Sequence, residues 1–188
     1  MKAAARFVLA ATLMVLGLPA VAKQTFPKVY DATYGSKNAQ GTQTLRLTSD
    51  GKGKLRSETQ GSGYKMVNII DYPGKVSYSI IDANRMVMKT PIKQDYEGEM
   101  TPEKAKAKNA KDLGYKDIEG HHCKGWQYTE NKITSETWVD EKAGIMVKSK
   151  TTGANVDNEM TLKTYSAKEP PATLFAIPGD YKVMVNNY

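Results

Sequence analysis

Residues 64–81, YKMVNIIDYPGKVSYSII, decide the fold class that the sequence predicts. Apolar and polar residues alternate through Tyr64–Asp71 and again through Val76–Ile81, and Pro73 and Gly74 interrupt them. Alternation with a period of two is typical of β-strands whose two faces meet different surroundings, and a proline followed by a glycine is typical of a turn. The stretch therefore predicts two antiparallel strands joined by a short loop.

Shorter runs of the same kind lie on both sides of that stretch. They predict further strands at residues 29–34, 42–49, 54–59, 85–89, 123–128, 132–139, 145–151 and 158–165. Asp50 and Gly51 separate two of these runs, and both residue types readily adopt the positive φ of a tight hairpin turn. Links this short suit hairpins rather than crossover helices, so we expect an antiparallel meander.

One segment breaks the strand pattern. Thr101 followed by Pro102 is typical of a helix start, and the run AKAKNAKDL that ends at Gly114 is rich in good helix formers. Its lysines leave only a thin apolar stripe, which predicts a solvated surface helix over an edge or opening of the sheet; a lid or a membrane-facing patch is the functional alternative. Near the C-terminus, a clamp against the core is expected from Leu174, Phe175, Ile177 and Tyr181.

The predicted strands carry apolar side chains on alternate positions, and a single sheet cannot hide such a face unless it curls or is covered. One thin helix covers little, so curling is the expected solution. We therefore predict a mainly β fold with one helix, in which a curved antiparallel sheet forms an unclosed β-barrel with a helical lid. The same side chains could instead fill a dry core and leave no pocket, because small barrels are normally filled by their own side chains.

Residues 1–22 have the features of a secretory signal peptide. Lys2 and Arg6 precede an apolar run that is shorter than the roughly 20 residues needed to span a bilayer, and the small residues of AVA precede Lys23. We predict cleavage before Lys23, secretion across the inner membrane into the periplasm, and a single half-barrel domain over residues 23–188.

The composition narrows the classes of partner. The chain has 27 basic and 20 acidic residues, a net charge of +7, and lysines that are scattered rather than arranged in a nucleic-acid-binding motif. Its single cysteine cannot form an internal disulfide, so the core must hold the domain together. We expect no nucleic-acid partner, no cofactor and a monomer, with an apolar small molecule, a lipid or acyl chain, or an envelope protein as the partner.

The heptapeptide GHHCKGW, residues 120–126, holds both histidines and the cysteine of the chain. In a strand, His121 and Cys123 share one face and His122 has the other, so at most two of them could bind one ion without a bulge. They are the weak candidates for a metal site. No nucleophile motif or triad accompanies them, so we expect no enzymatic activity. The favoured interpretation is a strand with two rim histidines, a buried Cys123 and a packed Trp126.

The stretches LGYKDIEGHHCKGW, TSETWVDEKAGIMVKSK and LFAIPGDYKV follow a leader, a run of hairpins and a helix. This layout resembles exported bacterial families related to the outer-membrane lipoprotein carrier and sorting proteins, and it covers nearly all of residues 23–188. The resemblance implies a strongly curved antiparallel sheet, an unclosed barrel with helical segments against its concave face. In the carriers that concavity is apolar and receives acyl chains.

The first functional hypothesis is a periplasmic binding protein that holds a lipid or another apolar ligand in the half-barrel, acting in envelope lipid or lipoprotein handling. Methionines adapt to irregular apolar guests, and aromatic side chains bury large areas. The expected cavity lining is Tyr64, Met66, Tyr78, Ile80, Met86, Met88, Trp126 and Trp138. The alternatives are a non-catalytic structural or interaction protein with a filled core, and a metal-binding protein that uses His121, His122 and Cys123.

Overall fold

The computed structural model describes residues 26–39, 41–61 and 63–186, and the predicted signal peptide lies outside these ranges. The strands in them are β1 (Tyr30–Asn38), β2 (Gly41–Ser49), β3 (Lys54–Gly61), β4 (Tyr64–Asp71), β5 (Val76–Ile81), β6 (Met86–Pro91), β7 (Lys111–Ile118), β8 (His121–Glu130), β9 (Ile133–Asp140), β10 (Ile145–Gly153), β11 (Val156–Ser166) and β12 (Lys182–Val185). Helix α1 spans Pro102–Ala107, and short 3-10 helices span Asp82–Asn84 and Ala172–Phe175. None of the helices in this part of the chain is long and apolar enough to cross a membrane.

All twelve strands of the described residues belong to one sheet, in the order β12-β6-β5-β4-β3-β2-β1-β11-β10-β9-β8-β7. Neighbouring strands run antiparallel, except that β12 pairs with β6 in parallel. The two edge strands, β12 and β7, do not pair with each other, so the sheet stays open. This confirms the predicted fold class: mainly β, one short helix, and a curved sheet that does not close into a barrel.

Tight turns set the register of the second half of the sheet. Glu119 and Gly120 both have positive φ, 49° and 79°, between β7 and β8. Asn131 and Lys132, with φ of 50° and 65°, connect β8 to β9 in the same way. Two consecutive residues of positive φ are the signature of the two-residue hairpin turn whose twist matches that of the flanking strands. The glycine that opens GHHCKGW is therefore a turn residue.

The helix is shorter than the sequence predicts, and the part expected to be its second half is a strand. α1 ends at Ala107, Asn109 turns the chain at a φ of 50°, and residues from Lys111 onward pair with β8. Helix propensity is a weak local preference, whereas β8 offers a row of main-chain donors and acceptors that need partners. Strand pairing therefore overrides the helix-forming composition. Strand β12 was also absent from the prediction.

The hydrogen-bonding register assigns side chains of β1–β6 to two faces, because directly paired residues share a face. The face that we call the front carries the row Ala32, Leu47, Ser57, Asn68, Ser79 and Met88. The opposite face, the back, carries the row Thr33, Arg46, Glu58, Val67, Ile80 and Val87. The register shifts of the sheet occur elsewhere, between β1 and β11, β9 and β10, and β7 and β8.

Each face has its own cover. On the back, Ile177 and Tyr181 from the C-terminal segment pack against a buried cluster of Val67, Ile69, Ile80 and Val87. Of the predicted C-terminal clamp, Ile177 and Tyr181 pack on this cluster, Phe175 is buried, and Leu174 is half-buried. The front is crossed by the segment after β6, which runs from residue 92 through α1; we call this residue range, 92–107, the crossing segment. Its Glu99 lies close enough to Tyr30 to act on the pKa of that phenol.

Candidate functional site

A small apolar cavity lies on the front face beside the crossing segment. Its volume is about 110 Å³, and its lining is Tyr30, Leu47, Leu55, Arg56, Ser57 and Ile70. The register explains why these residues meet: Leu55 pairs with Ser49 and with Ile70, and Ser49 pairs with Tyr30. The Arg56 side chain points to the back, where its guanidinium donates a hydrogen bond to Glu58. The front-facing side chains of the cavity are therefore apolar apart from the hydroxyl groups of Tyr30 and Ser57.

Tyr30, which lines this cavity, also belongs to a group of phenols that lies near one carboxyl group, that of Glu99. Tyr30 and Tyr34 are buried, and burial, helped by the nearby Glu99, raises the pKa of both phenols above the usual range. The Tyr34 hydroxyl donates a hydrogen bond to the Met146 carbonyl at 2.9 Å. Tyr96 of the crossing segment lies edge-on to Tyr72, with ring centroids 5.5 Å apart.

Glu99 is the acidic member of this group, which we call the tyrosine–glutamate cluster (Tyr30, Tyr34, Tyr96 and Glu99). Burial raises the pKa of Glu99, and the Lys104 ammonium partly opposes that rise. The Lys104 ammonium also donates a hydrogen bond to the Glu99 carbonyl at 2.9 Å, and the Lys104 main-chain N–H is capped by Thr101. The start of α1 therefore fixes the main chain at Glu99, whose carboxyl group lies near enough to act on the phenols of Tyr30 and Tyr34.

Larger depressions exist on the described surface, but their linings are charged. One of about 400 Å³ includes Asp50, Lys52, Lys54 and Glu169. Another of about 450 Å³ includes His121, His122, Asp140 and Glu141. Both are more open to solvent than the front cavity, and charged residues line them beside apolar ones such as Phe175 and Tyr115, so size alone does not identify a ligand site. The front cavity is smaller and apolar, which makes it the better candidate for an apolar guest.

The eight residues predicted to line one cavity do not share a face. Four of them, Tyr64, Met66, Met86 and Met88, are on the front, whereas Tyr78 and Ile80 are on the back, where they pack with Ile177 and Tyr181. A single sheet cannot bring residues of opposite faces to one pocket. None of the eight lines the 110 Å³ cavity. The eight residues are thus divided between the two faces of the sheet, and a ligand site formed by some of them stays a prediction.

Trp126 and Trp138 are also divided between faces. Trp126 pairs with Thr137, and Trp138 pairs with Gly125, so the two indoles point away from each other across the β8–β9 ladder. Both are buried, and the Trp138 Nε1–H donates to Glu136 at 2.7 Å. The Trp138 ring lies on Gly125, where a Cβ would come within 2.5 Å of it. Gly125 is thus the residue that makes room for the indole.

The residues that do line the cavity were not singled out from the sequence. Leu47 and Leu55 belong to strands that were predicted correctly, and their alternation with Leu45 and with polar residues was a visible signal. This alternation within each strand does not show which strands are neighbours in the sheet. Only the pairing of β2, β3 and β4 shows that Leu47, Leu55 and Ile70 meet on one face.

The side chains of GHHCKGW do not converge. The His121 Nδ1 lies 2.8 Å from Asp140, the His122 Nδ1 lies 2.8 Å from Asp117 on the exposed opposite side, and Cys123 is fully buried. Burial, with Asp140 and Asp117 nearby, raises the pKa of the Cys123 thiol to about 11, so thiolate is scarce at neutral pH. Among the described residues no group of three or more His, Cys, Asp or Glu is placed to hold a metal ion.

Known structures share this fold at low sequence identity. An uncharacterized conserved protein from Thermus thermophilus matches with a TM-score of 0.65 and 10% identity, over 86% of this chain and 92% of that chain. MucB matches with a TM-score of 0.55 and 11% identity, over 86% of this chain and 62% of that chain. A domain described as an outer membrane lipoprotein-sorting protein domain, from Vibrio parahaemolyticus, overlaps less well, with a TM-score of 0.32 and 13% identity, over 74% of this chain and 85% of that chain.

At these identities the first two matches show a shared fold and say nothing of a shared ligand. No curated protein matches the sequence. One family model does match, over residues 33–146, which run from β1 into β10 and include nearly all of the front cavity. The chain therefore belongs to the DUF4412 family, a domain of unknown function.

Proposed function

We propose that the protein is a periplasmic binding protein that takes the end of an acyl chain, or a similar apolar group, into the front cavity. The observation that carries this proposal is the lining of that cavity: Leu47, Leu55, Ile70 and Tyr30 supply its apolar walls around about 110 Å³. Water finds few hydrogen-bond partners in an apolar cavity. Each methylene group of a ligand that is buried there instead contributes about 0.8 kcal/mol to binding.

The size of the cavity limits what enters. Sites that enclose a whole small molecule usually measure about 300–1,000 Å³, so this cavity receives only the end of a chain. The methionines on the same face do not extend it directly, because the polar row of Ser57, Asn68 and Ser79 lies between. A longer stretch of ligand would enter only if the crossing segment, with its Tyr96 and Glu99, moved away from Tyr30 and Tyr34.

Binding without catalysis is part of the proposal. The Cys123 thiol is buried with its pKa raised to about 11, and the two histidines are each paired with a different carboxylate. Neither arrangement supplies an activated nucleophile beside the cavity. The periplasmic location rests on the predicted signal peptide, and a role in envelope lipid or lipoprotein handling rests on the resemblance described for the sequence.

The test is displacement of cis-parinaric acid, a fluorescent fatty acid, by palmitate, with the intact complex weighed by native mass spectrometry. Leu55→Phe and Ile70→Phe fill the cavity and should weaken binding at least tenfold, whereas Leu55→Ala enlarges it and should keep or strengthen binding. Ile133→Phe, at an exposed site on β9, is the matched control and should leave binding unchanged.

Overpacking costs about 1–3 kcal/mol, so the melting temperature of each variant must be measured before its affinity is compared. Equal binding by the filled variants and by Ile133→Phe would place the ligand elsewhere. A protein that binds neither fatty acid, in any variant, would favour the alternative of a non-catalytic envelope interaction protein with a filled core.

A further inference from the structure

The two edges of the open sheet differ in how they are protected. Edge strand β7 carries Lys111, Asp112, Lys116 and Asp117, and charges on an edge strand oppose the addition of another strand. Edge strand β12 has one charge, Lys182, followed by Val183, Met184 and Val185, and all four residues are exposed. The three apolar residues are 49%, 46% and 60% exposed. An edge of this kind is a template for pairing.

The hydrogen bonds of β12 to β6 show which of its main-chain groups point outward, where a further strand could bond to them. The Lys182 N–H donates to the Arg85 carbonyl, and the Asn186 N–H donates to the Lys89 carbonyl. Because main-chain groups of successive residues point to opposite sides of a strand, the N–H and C=O groups of Val183 and Val185 point away from β6. These are the groups that a further strand would bond.

We propose that β12 pairs antiparallel with β12 of a second copy of this chain, about a twofold axis at Met184. In this register Val183 of each copy faces Val185 of the other, so the outward main-chain groups bond each other. Met184 faces Met184, and Lys182 faces Asn186 rather than another lysine. If the two β12 strands ran parallel, each residue would lie beside the same residue of the other copy. The two Lys182 side chains would then be neighbours and would repel each other.

The pairing would also join the front faces of the two copies. Met184 is registered with Met88 of β6, and both are on the front. The methionines of the two copies would therefore form one continuous apolar strip across the axis. The front cavity lies at β2–β4, away from this edge, so the pairing is independent of the proposed ligand site.

Sedimentation velocity over a concentration series tests the proposal. The unaltered chain should shift from one-chain to two-chain mass as its concentration rises to about 1 mM, a range that suits an interface below the standard size. The double variant V183K/V185K sets introduced lysines opposite one another and should weaken the association at least tenfold. The double variant V183K/V185E sets a lysine opposite a glutamate at both positions and should restore it.

A further variant isolates the hydrogen bonds. Val185→Pro removes an N–H that points away from β6, so it should block the association while leaving the internal ladder intact. Unchanged melting temperatures and unchanged binding of cis-parinaric acid would show that the variants are folded. One-chain mass at every concentration would overturn the proposal, as would failure of V183K/V185E to recover, or masses that grow beyond two chains.

Discussion

The front and the back of the β1–β6 half are covered in opposite ways. On the back, the buried aliphatic residues Val67, Ile69, Ile80 and Val87 pack with Ile177 and Tyr181 of the C-terminal segment. An open pocket of about 160 Å³ beside them is lined in part by the charged residues Arg56, Lys65 and Asp82. On the front, Tyr96 and Glu99 of the crossing segment lie near the phenols of Tyr30 and Tyr34, and Tyr30 also lines an apolar cavity of about 110 Å³. Both faces carry a buried hydrophobic cluster, and on the front that cluster joins Tyr30, Ala32 and Tyr34 to residues of β8–β11. What sets the front apart is the group of phenols and a carboxyl beside an apolar cavity.

The difference separates stability from binding. Close packing of aliphatic side chains contributes most of the free energy of folding, and it leaves no room for a guest. Buried hydroxyl and carboxyl groups contribute less, because their hydrogen bonds mostly replace bonds to water. A face built in this second way can open at a smaller cost. We therefore expect the loss of an aliphatic side chain from the back cluster to cost more stability than the loss of one beside the front cavity, and we expect the front to admit the ligand.

The largest expected effect is the loss of a buried side chain from the back. Ile69→Ala should lower the free energy of unfolding by about 2–5 kcal/mol, because Ile69 is 1% exposed and the space it leaves cannot collapse. Leu55→Ala on the front should cost about 1–2 kcal/mol, since Leu55 already borders a cavity. Urea unfolding of both variants measures the difference. Equal losses would mean that the two faces are packed alike.

A smaller effect is expected from the loss of a phenol hydroxyl. Tyr34→Phe removes a donor from the Met146 carbonyl in the buried front cluster and should cost about 1–2 kcal/mol. Tyr181→Phe, its matched control from the back cover, removes an exposed bond to Asp82 and should cost less than about 0.5 kcal/mol. Thermal unfolding compares them. A larger loss at Tyr181 would contradict the assignment of buried polar bonds to the front.

The smallest effect should appear as pH dependence. Burial raises the pKa of Glu99 above its ordinary 4.5, so the folded state holds that proton more tightly than the unfolded state does. Stability contributed by the protonated form is therefore present below the ordinary pKa and is lost as pH rises from there through the raised value. Glu99→Gln should remove this decline and leave the protein more stable than the unaltered chain at neutral pH.

The control for that substitution is Glu97→Gln, two residues away at an exposed position of the crossing segment. Urea unfolding of both variants across pH 4 to 8 gives the comparison. A Glu99→Gln curve parallel to that of the unaltered chain would mean that the carboxyl group is well solvated. The front would then be less buried than the tyrosine–glutamate cluster implies.

Much of the fold was predictable from the sequence, because strands and turns are local patterns. Tyr64–Asp71 and Val76–Ile81 begin and end as predicted, since alternation and the Pro73-Gly74 interruption act within a few residues. The fold class followed from the number of such strands. Residues 111–113 were predicted as helix because the stretch is rich in good helix formers. In the structure their main chain instead pairs with β8.

The candidate site was much less predictable. Alternation shows that Tyr78 and Ile80 share a face, and that Tyr64 and Met66 share one, but not whether the two faces are the same. That depends on the register across β4 and β5, in which Val67 rather than Met66 pairs with Ile80. A shift of one residue exchanges the two faces of a strand. The predicted cavity lining therefore combined residues that the register places on opposite faces.

The sequence by itself determined ten of the twelve described strands, most of their turns, the mainly β class and much of the C-terminal clamp. Hydrophobic period and turn chemistry, which carry this information, are properties of neighbouring residues. Only the tertiary structure decided which face is packed, where the cavity lies, that His121 and His122 have separate partners, and that β12 is an unprotected edge. These features depend on pairing between strands distant in the chain. Such pairing is set by the total burial of the whole sheet and not by any one segment.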